Sequence, residues 1–325
     1  MPGAPVRVAV DDDPLGVGLG STSPDGKGRR PTVATLADTR GSDRGHGHDR
    51  SRGCSGWSFC APALVSGVLR AGERVLLIDA KDRRYLVTLR EGSAFHTHAG
   101  IVAHDDLIGT EEGSLVRSTT ERSFLVVRPT LADVVLKMPR GAQVIYPKDL
   151  GTILLQADIA PGMRVLEAGV GSGALSMTLL RAGAVITAYE IRDDFARQAL
   201  QNVHDMLGPD VAYDVRIRDV TAGIDETDLD RVILDMPEPW AVVAHAQAAL
   251  RPGGIILAYL PTINQTQLLR ETLNQYHFAL AETVEILRRT WHVDGRSVRP
   301  DHRMVAHTGF LTSARRTTQR RDVSP

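Results

Sequence analysis

The chain of 325 residues predicts an α/β architecture, a parallel doubly wound sheet preceded by a small β domain. Three observations carry this. From Arg164 onward, short apolar runs alternate with helical stretches, the pattern of successive βα units. One run, Val165-Leu-Glu-Ala-Gly-Val-Gly-Ser-Gly173, passes from strand to glycine turn and into a helix-like segment from Ala174. Ahead of it, residues 63–135 hold several short strand-like runs parted by polar turns.

In chain order, residues 1–62 are dominated by Gly, Asp, Ser, Arg and Pro and lack hydrophobic periodicity. They predict a disordered extension, dispensable for activity, because such a segment buries too little apolar surface to offset its ordering entropy. Strands over 73–79, 84–90, 114–117 and 123–128 predict a barrel-like β domain. Among them lies Phe95-His-Thr-His-Ala-Gly-Ile-Val-Ala-His104. Its three histidines have no cysteine or well-spaced carboxylate nearby, so they read as local hydrogen-bonding groups or substrate contacts, and no metal is expected. Residues 136–162 form a connection carrying Tyr146-Pro-Lys-Asp149 and a helix from Leu150 to Ile159. The main domain, 163–314, predicts strands at 164–168, 185–189, 213–217, 231–234 and 255–260, with helices at 174–182, 193–207, 240–250 and 264–275. Two last strands, near 283–290 and 305–312, follow without the usual helix spacing, and a basic tail occupies 315–325.

Hydrophobic residues make up 42% of the chain, enough for a sizeable core. The net charge of −1 gives no global argument for nucleic acid, but the distribution does. Residues 288–325 hold nine arginines against Asp294, Asp301 and Asp322, a local charge of +6 that suits phosphate contact. The alternative for Arg315 to Arg321 is a solvated tail. Both cysteines, Cys54 and Cys60, fall in the extension, so the folded part has no disulfide framework. No apolar run is long enough to span a membrane and no signal-type pattern opens the chain; a cytoplasmic protein is expected.

The glycines at 169, 171 and 173 let backbone approach a nucleoside cofactor, since glycine has no Cβ in the way. Glu190 closes the next apolar run about 20 residues on, where a carboxylate accepts from ribose hydroxyls. Taken alone, Gly169-x-Gly-x-x-Ala174 also satisfies a dinucleotide fingerprint. The flanks decide. With Glu167 the run is Glu-x-Gly-x-Gly-x-Gly, which resembles motif I of S-adenosylmethionine (SAM) methyltransferases, where the carboxylate serves the amino acid part of SAM. Ligands in such sheets sit at the carboxyl ends of the strands. Four acids fall there: Glu167, Glu190, Asp219 and Asp235. Each could be a helix N-cap, but four at successive strand ends exceed what capping explains. Asp219 is placed for the adenine amine of SAM. Asp235 opens a proline-stiffened loop, Asp235-Met-Pro-Glu-Pro-Trp240. A nucleobase acceptor makes sense of it: the base is extruded, and a carboxylate accepting from the adenine amine pushes electron density toward N1. Tyr259, Trp240 and Trp291 are candidate stacking surfaces, with core packing as the alternative for each.

The chain from about residue 70 to 314 resembles bacterial tRNA (adenine-58-N1)-methyltransferases of the TrmI type, especially actinobacterial ones. The residues that carry the resemblance are Phe95-His-Thr-His-Ala-Gly100, Lys137-Met-Pro-Arg-Gly-Ala-Gln-Val-Ile-Tyr-Pro-Lys-Asp149, the glycine turn through Leu175, and Tyr189-Glu190. Leu234-Asp-Met-Pro-Glu-Pro-Trp240, Ala258-Tyr-Leu-Pro261, Val298-Arg-Pro-Asp-His302 and His307-Thr-Gly-Phe-Leu311 complete them. The resemblance implies a seven-stranded Rossmann-like SAM methyltransferase sheet whose last strand inserts antiparallel. It implies SAM as cofactor, tRNA as partner and a homotetramer. It further implies cofactor contacts from Glu167, Gly169, Gly171, Ser172, Gly173, Ala174, Leu175, Glu190, Phe195, Asp219 and Asp235. Asp235 and Tyr259 would be the catalytic residues. Tyr146, Trp240, Trp291, Arg299 and His302 would bind substrate. The chain departs from the family pattern in its N-terminal extension, in a short connection at Leu180–Val185, in Phe195 where histidine is frequent, and in Pro237, which has no N–H to donate. The rival readings are a protein (isoaspartyl-type) methyltransferase, a nicotinamide-dependent oxidoreductase, and a non-catalytic tRNA-binding module.

Overall fold

The computed structural model describes residues 67–141 and 143–319. The extension expected over residues 1–62 lies outside them, as does the end of the basic tail.

The first described layer is antiparallel. β1 (Arg74–Asp79), β2 (Arg84–Thr88), β5 (Leu115–Arg117) and β6 (Ser123–Val127) form a sheet in the order β2-β1-β6-β5. Its alternating apolar residues, Val75, Leu77, Val87, Val116, Phe124 and Val126, bury into a core of their own. β3 (Ala94–Thr97) and β4 (Gly100–Ala103) make a separate hairpin from the histidine-bearing segment, which the sequence pattern did not show as strands. Its turn needs glycine: Gly100 has φ +99, and a Cβ there would lie 2.8 Å from the hydroxyls of Ser118 and Thr120.

α1 (Leu131–Lys137) follows, a helix where none was expected. Its signal is local, since Thr130 and Asp133 form a reciprocal capping box. Asp133 also pairs with Arg84 of β2 at 2.8 Å, tying the helix to the first sheet. α2 (Pro147–Gln156) starts three residues before the expected position because Pro147, with its fixed φ, opens it.

The main sheet has seven strands: β7 (Arg164–Ala168), β8 (Val185–Glu190), β9 (Asp214–Ile217), β10 (Leu229–Leu234), β11 (Leu250–Leu260), β12 (Phe278–Glu285) and β15 (Phe310–Arg316). Their order is β12-β15-β11-β10-β7-β8-β9, parallel except for β15, which lies antiparallel between β11 and β12. The expected seven-stranded sheet with its inserted last strand is therefore present. Between the strands run α3 (Ala174–Arg181), α4 (Asp193–Leu207), α5 (Val243–Ala249) and α6 (Ile263–Leu273). Side chains alternate across the sheet. Val165, Ile233 and Leu257 pack toward α2, α3 and α4. Leu166, Val232, Leu234 and Ile256 pack toward α5 and α6. Period-two alternation puts Glu167 on the Val165 face, directly beneath α3.

Two expectations shift. The last strands sit at 278–285 and 310–316 rather than 283–290 and 305–312, and Arg315 and Arg316 belong to β15 instead of a solvated tail. Between them lies an unforeseen hairpin, β13 (Trp291–Asp294) with β14 (Ser297–Pro300). The short connection at residues 180–185 has a simple cause. Gly183 at φ +87 ends α3 in a Schellman turn, with Gly183 N–H donating to Leu180 O and Ala184 N–H to Leu179 O.

Candidate active site

The glycine turn between β7 and α3 builds one half of the site. Gly169 has φ +85, and a Cβ on it would lie 1.9 Å from the backbone carbonyl of Asp235. Gly173, at φ +82, caps α3, and its Cβ would press 3.2 Å from the backbone of Ala199 in α4. Gly171 also has positive φ. The turn thus follows a path that side chains would block, and it packs directly on the strand end that carries Asp235.

The carboxylates at the strand ends take different tasks. Glu190 Oε2 accepts from the amides of Val170 (3.1 Å) and Gly171 (3.2 Å), while Oε1 accepts from Arg192 N–H (3.0 Å). It therefore braces the turn. Glu167 is fully buried; Oε1 accepts from Ser176 Oγ at 3.0 Å, and Ser176 in turn accepts from the Tyr213 hydroxyl at 2.7 Å. Its Oε2 and the Ser172 hydroxyl are buried polar atoms with no partner among the described residues. Burial foremost, then the charges of Asp235 and Glu190, push Glu167 up to about 8. Asp235 is half-buried and takes no side-chain hydrogen bond from any described residue; burial, then the charge of Glu190, pushes it up to about 7. Asp219 follows the end of β9. It is exposed and works as an N-cap, accepting from the amide (2.8 Å) and hydroxyl (2.7 Å) of Thr221.

The turn fits SAM on these grounds. Glu167 Oε2 and Ser172 Oγ are buried polar atoms without a partner among the described residues, and a cationic ammonium is the group that best satisfies a desolvated carboxylate. Ala174 and Leu175 are buried at the head of α3. Phe195, at the start of α4, lies edge-on to Gly141 with the Arg192 guanidinium 3.7 Å above its ring, so it packs rather than hydrogen-bonds. Asn202, which the sequence did not single out, is buried and donates to Ser172 O (3.0 Å) and Pro139 O (3.1 Å), locking the turn to the segment after α1.

The second half faces a cleft of about 490 Å³ lined by Gln143, Tyr146, Pro261 and the 304–308 segment. Tyr146 sits immediately before α2. Tyr259 is near the end of β11, and the charges of Asp149, Asp235 and Tyr146 all help raise its hydroxyl, which burial foremost pushes to about 12. That hydroxyl donates to Thr308 O at 2.6 Å. The hydroxyl's proton is thus committed to a backbone carbonyl, and the base-flanking role expected of Tyr259 would fall to its ring. His307 bridges Glu285 (2.7 Å) and the Pro261 carbonyl (2.9 Å) through both ring nitrogens. The Glu285 contact, then the Pro261 carbonyl, raises it, favouring the imidazolium.

The remaining expected contacts separate. Trp240 is half-buried and packs against the α5–α6 core. The loop it ends is held by Gln265 of α6, which donates to Pro237 O at 3.0 Å. Trp291, by contrast, is 60% exposed on β13, and Arg299 and His302 are exposed on and just after β14. Of the three expected histidines, His104 is buried and accepts from Arg90 N–H at 3.0 Å, and His98 contacts Arg83. Among the described residues no cluster of His, Cys, Asp and Glu is gathered for a metal.

Comparison with known proteins adds identity to this geometry. The family described as tRNA methyltransferase complex GCD14 subunit matches residues 124–304, and the TrmI-like N-terminal family matches residues 67–116. The chain is 38% identical over 245 residues to the tRNA (adenine(58)-N(1))-methyltransferase TrmI of Thermus thermophilus, covering 74% of this chain and 96% of that protein. The chain belongs to the TrmI family. A second TrmI, the tRNA (adenine(57)-N(1)/adenine(58)-N(1))-methyltransferase of Methanocaldococcus jannaschii, is 37% identical over 269 residues, spanning 74% of this chain and 94% of its own length. Among solved structures, TrmI from Aquifex aeolicus superposes with a TM-score of 0.70 at 29% identity, covering 78% of this chain and all of that one. A SAM-dependent O-methyltransferase from Thermotoga maritima gives 0.75 at 33% identity, with 78% and 97% covered. The TrmI assignment extends over both described layers, so the β layer before the sheet is part of the family pattern.

Proposed function

We propose that this chain transfers the methyl group of SAM to N1 of adenine 58 in the T-loop of tRNA. Membership of the TrmI family supports the reaction and its substrate. The observation that carries the chemistry is Asp235: a half-buried carboxylate without a described side-chain partner, on the strand end touching the glycine turn.

When bound, SAM supplies an electrophilic methyl on a sulfonium. The chain does the rest. The glycine turn, Glu190 and the buried acceptors of Glu167 and Ser172 hold the cofactor. The target adenine enters the cleft extruded from its stack. Asp235 accepts a hydrogen bond from the adenine amine and takes the proton lost after methylation. Held near pH 7, it is well matched to this exchange, and such positioned proton transfer contributes about 10²–10⁴-fold. The Tyr146 and Tyr259 rings bound the base. Outside the cleft, Trp291 and Arg299 on the β13–β14 hairpin, with His302 beyond it, meet the tRNA. Their exposure and the charge of residues 288–325 support that placement. Asp219 bounds the adenosine side of the cofactor. We also propose a homotetramer working in the cytoplasm; among the described residues no helix is long and apolar enough to cross a membrane.

The test is transfer from labelled SAM to two tRNA transcripts, one with adenine 58 and one with it replaced. Label on the first alone is expected. Equal label on both would overturn the site, and SAM binding without label on either would favour the non-catalytic reading.

A further inference from the structure

Three residues that the proposed chemistry does not use form a buried polar cluster beside the cleft. Lys148 Nζ donates to Asp149 Oδ1 at 2.8 Å and to Thr308 Oγ1 at 2.6 Å, and Thr308 Oγ1 donates to Asp149 Oδ2 at 2.7 Å. The Lys148 side chain is 4% exposed and Asp149 is fully buried. Thr152 Oγ1 donates to the Lys148 carbonyl, securing the same turn of α2. A buried ion pair of this kind adds little net stability over an apolar replacement, because desolvating both charges offsets most of their attraction. What it does supply is position.

That position is specific. The cluster joins the first turn of α2, next to Tyr146, to the segment that enters β15. The Thr308 carbonyl receives the Tyr259 hydroxyl at 2.6 Å. The next residue, Gly309, has no side chain to spare: a Cβ there would lie 2.5 Å from Tyr259 Cζ and 2.8 Å from its hydroxyl. The hydroxyl end of the Tyr259 ring therefore packs against Gly309 and is pinned through Thr308. One clasp thus links Tyr146 and Thr308, which both line the cleft, to Tyr259.

We propose that Lys148, Asp149 and Thr308 are positioning residues that set Tyr259, through the Thr308 carbonyl, at the distance from Tyr146 that the target adenine requires. This rests on the proposed methyl transfer to adenine. None of the three touches the reacting atoms. Misplacing a bound reactant by a fraction of an ångström to one ångström costs about ten- to a hundredfold in rate.

The experiment compares wild type, Thr308→Val, Thr308→Ser, Tyr259→Phe and the Thr308→Val/Tyr259→Phe double variant in the full chain. The readouts are kcat and KM for tRNA at saturating SAM, SAM affinity by calorimetry, and thermal midpoint. Valine keeps the shape and removes the hydroxyl; serine keeps the hydroxyl. The expected result is a loss of about tenfold or more in kcat for Thr308→Val, unchanged SAM affinity, and recovery in Thr308→Ser. The double variant should be no slower than the worse single one, because both act through Tyr259. Wild-type kcat in Thr308→Val, equal losses in the valine and serine variants, or multiplying losses in the double variant would each overturn the clasp. Should Thr308→Val fail to fold, Lys148→Met with Asp149→Leu replaces the buried pair by apolar groups; retained kcat in that variant overturns the proposal, and lost kcat with intact SAM binding supports it. Absence of methyl transfer by wild type itself would instead remove the functional reading on which the clasp rests.

Discussion

The two halves of the site are built in opposite ways. The cofactor half lies within one stretch of chain, β7 to α4, and its geometry is set by backbone: three glycines with positive φ and a carboxylate holding two turn amides. The target half gathers Tyr146, Asp235, Tyr259 and Thr308 from segments scattered over more than 160 residues, and side-chain bonds join Tyr259 and Thr308 to α2. A backbone-built site tolerates almost no change at its glycines. A side-chain-built site has more ways to adjust and more ways to fail.

The largest effect expected follows from that contrast. Gly169→Ala should abolish SAM binding in calorimetry, because its φ alone costs about 1–3 kcal/mol and its Cβ would have to displace the Asp235 carbonyl. A Gly169→Ala protein that binds SAM normally would break the idea of a backbone-built half.

This difference also decides what could be read in advance. The turn, Glu167, Glu190 and Asp235 were legible because the glycines fall at alternate positions and each acid closes an apolar, strand-like run. Asn202 and Thr308 were not, since a buried amide in an amphipathic helix and a threonine before a strand look ordinary until the partner 30 or 160 residues away is known. The strands of the main sheet were foreseen, but the final two are displaced by about five residues. The Trp291–Pro300 hairpin intervenes there, with Val293 and Val298 exposed. Asp219 reads in sequence as a ligand contact, and its side chain also caps the turn at Val220.

On the target side the effects should be graded. Trp291→Ala should raise KM for tRNA by an amount equivalent to about 1–3 kcal/mol if its exposed ring stacks on a base. Unchanged KM would remove the hairpin from the tRNA interface. Arg299→Ala should weaken binding more evenly and lower the slope of log affinity against log salt by about 1. An unaltered slope would mean that Arg299 meets no phosphate.

The smallest effect concerns Glu167. Its folded pKa, about 8, lies above the usual carboxylate value, so folding favours the protonated form. The resulting stabilisation is complete below the unfolded pKa and is lost as pH rises through about 8. Without SAM, the thermal midpoint should therefore fall between pH 6 and pH 9. Glu167→Gln, which cannot ionise, should flatten this dependence and weaken SAM binding. A midpoint that rises over the same range would contradict the burial argument.

The most direct test is the pH dependence of methyl transfer by wild type and Asp235→Asn, on tRNA bearing adenine 58 and at saturating SAM. Wild-type kcat/KM for tRNA should rise with pH through an apparent value near 7, shared in part with the neighbouring Glu167. Asp235→Asn should lose about 10²–10⁴-fold in kcat together with that rise. A variant within threefold of wild type that keeps the same pH profile would show that Asp235 is not the group facing the adenine.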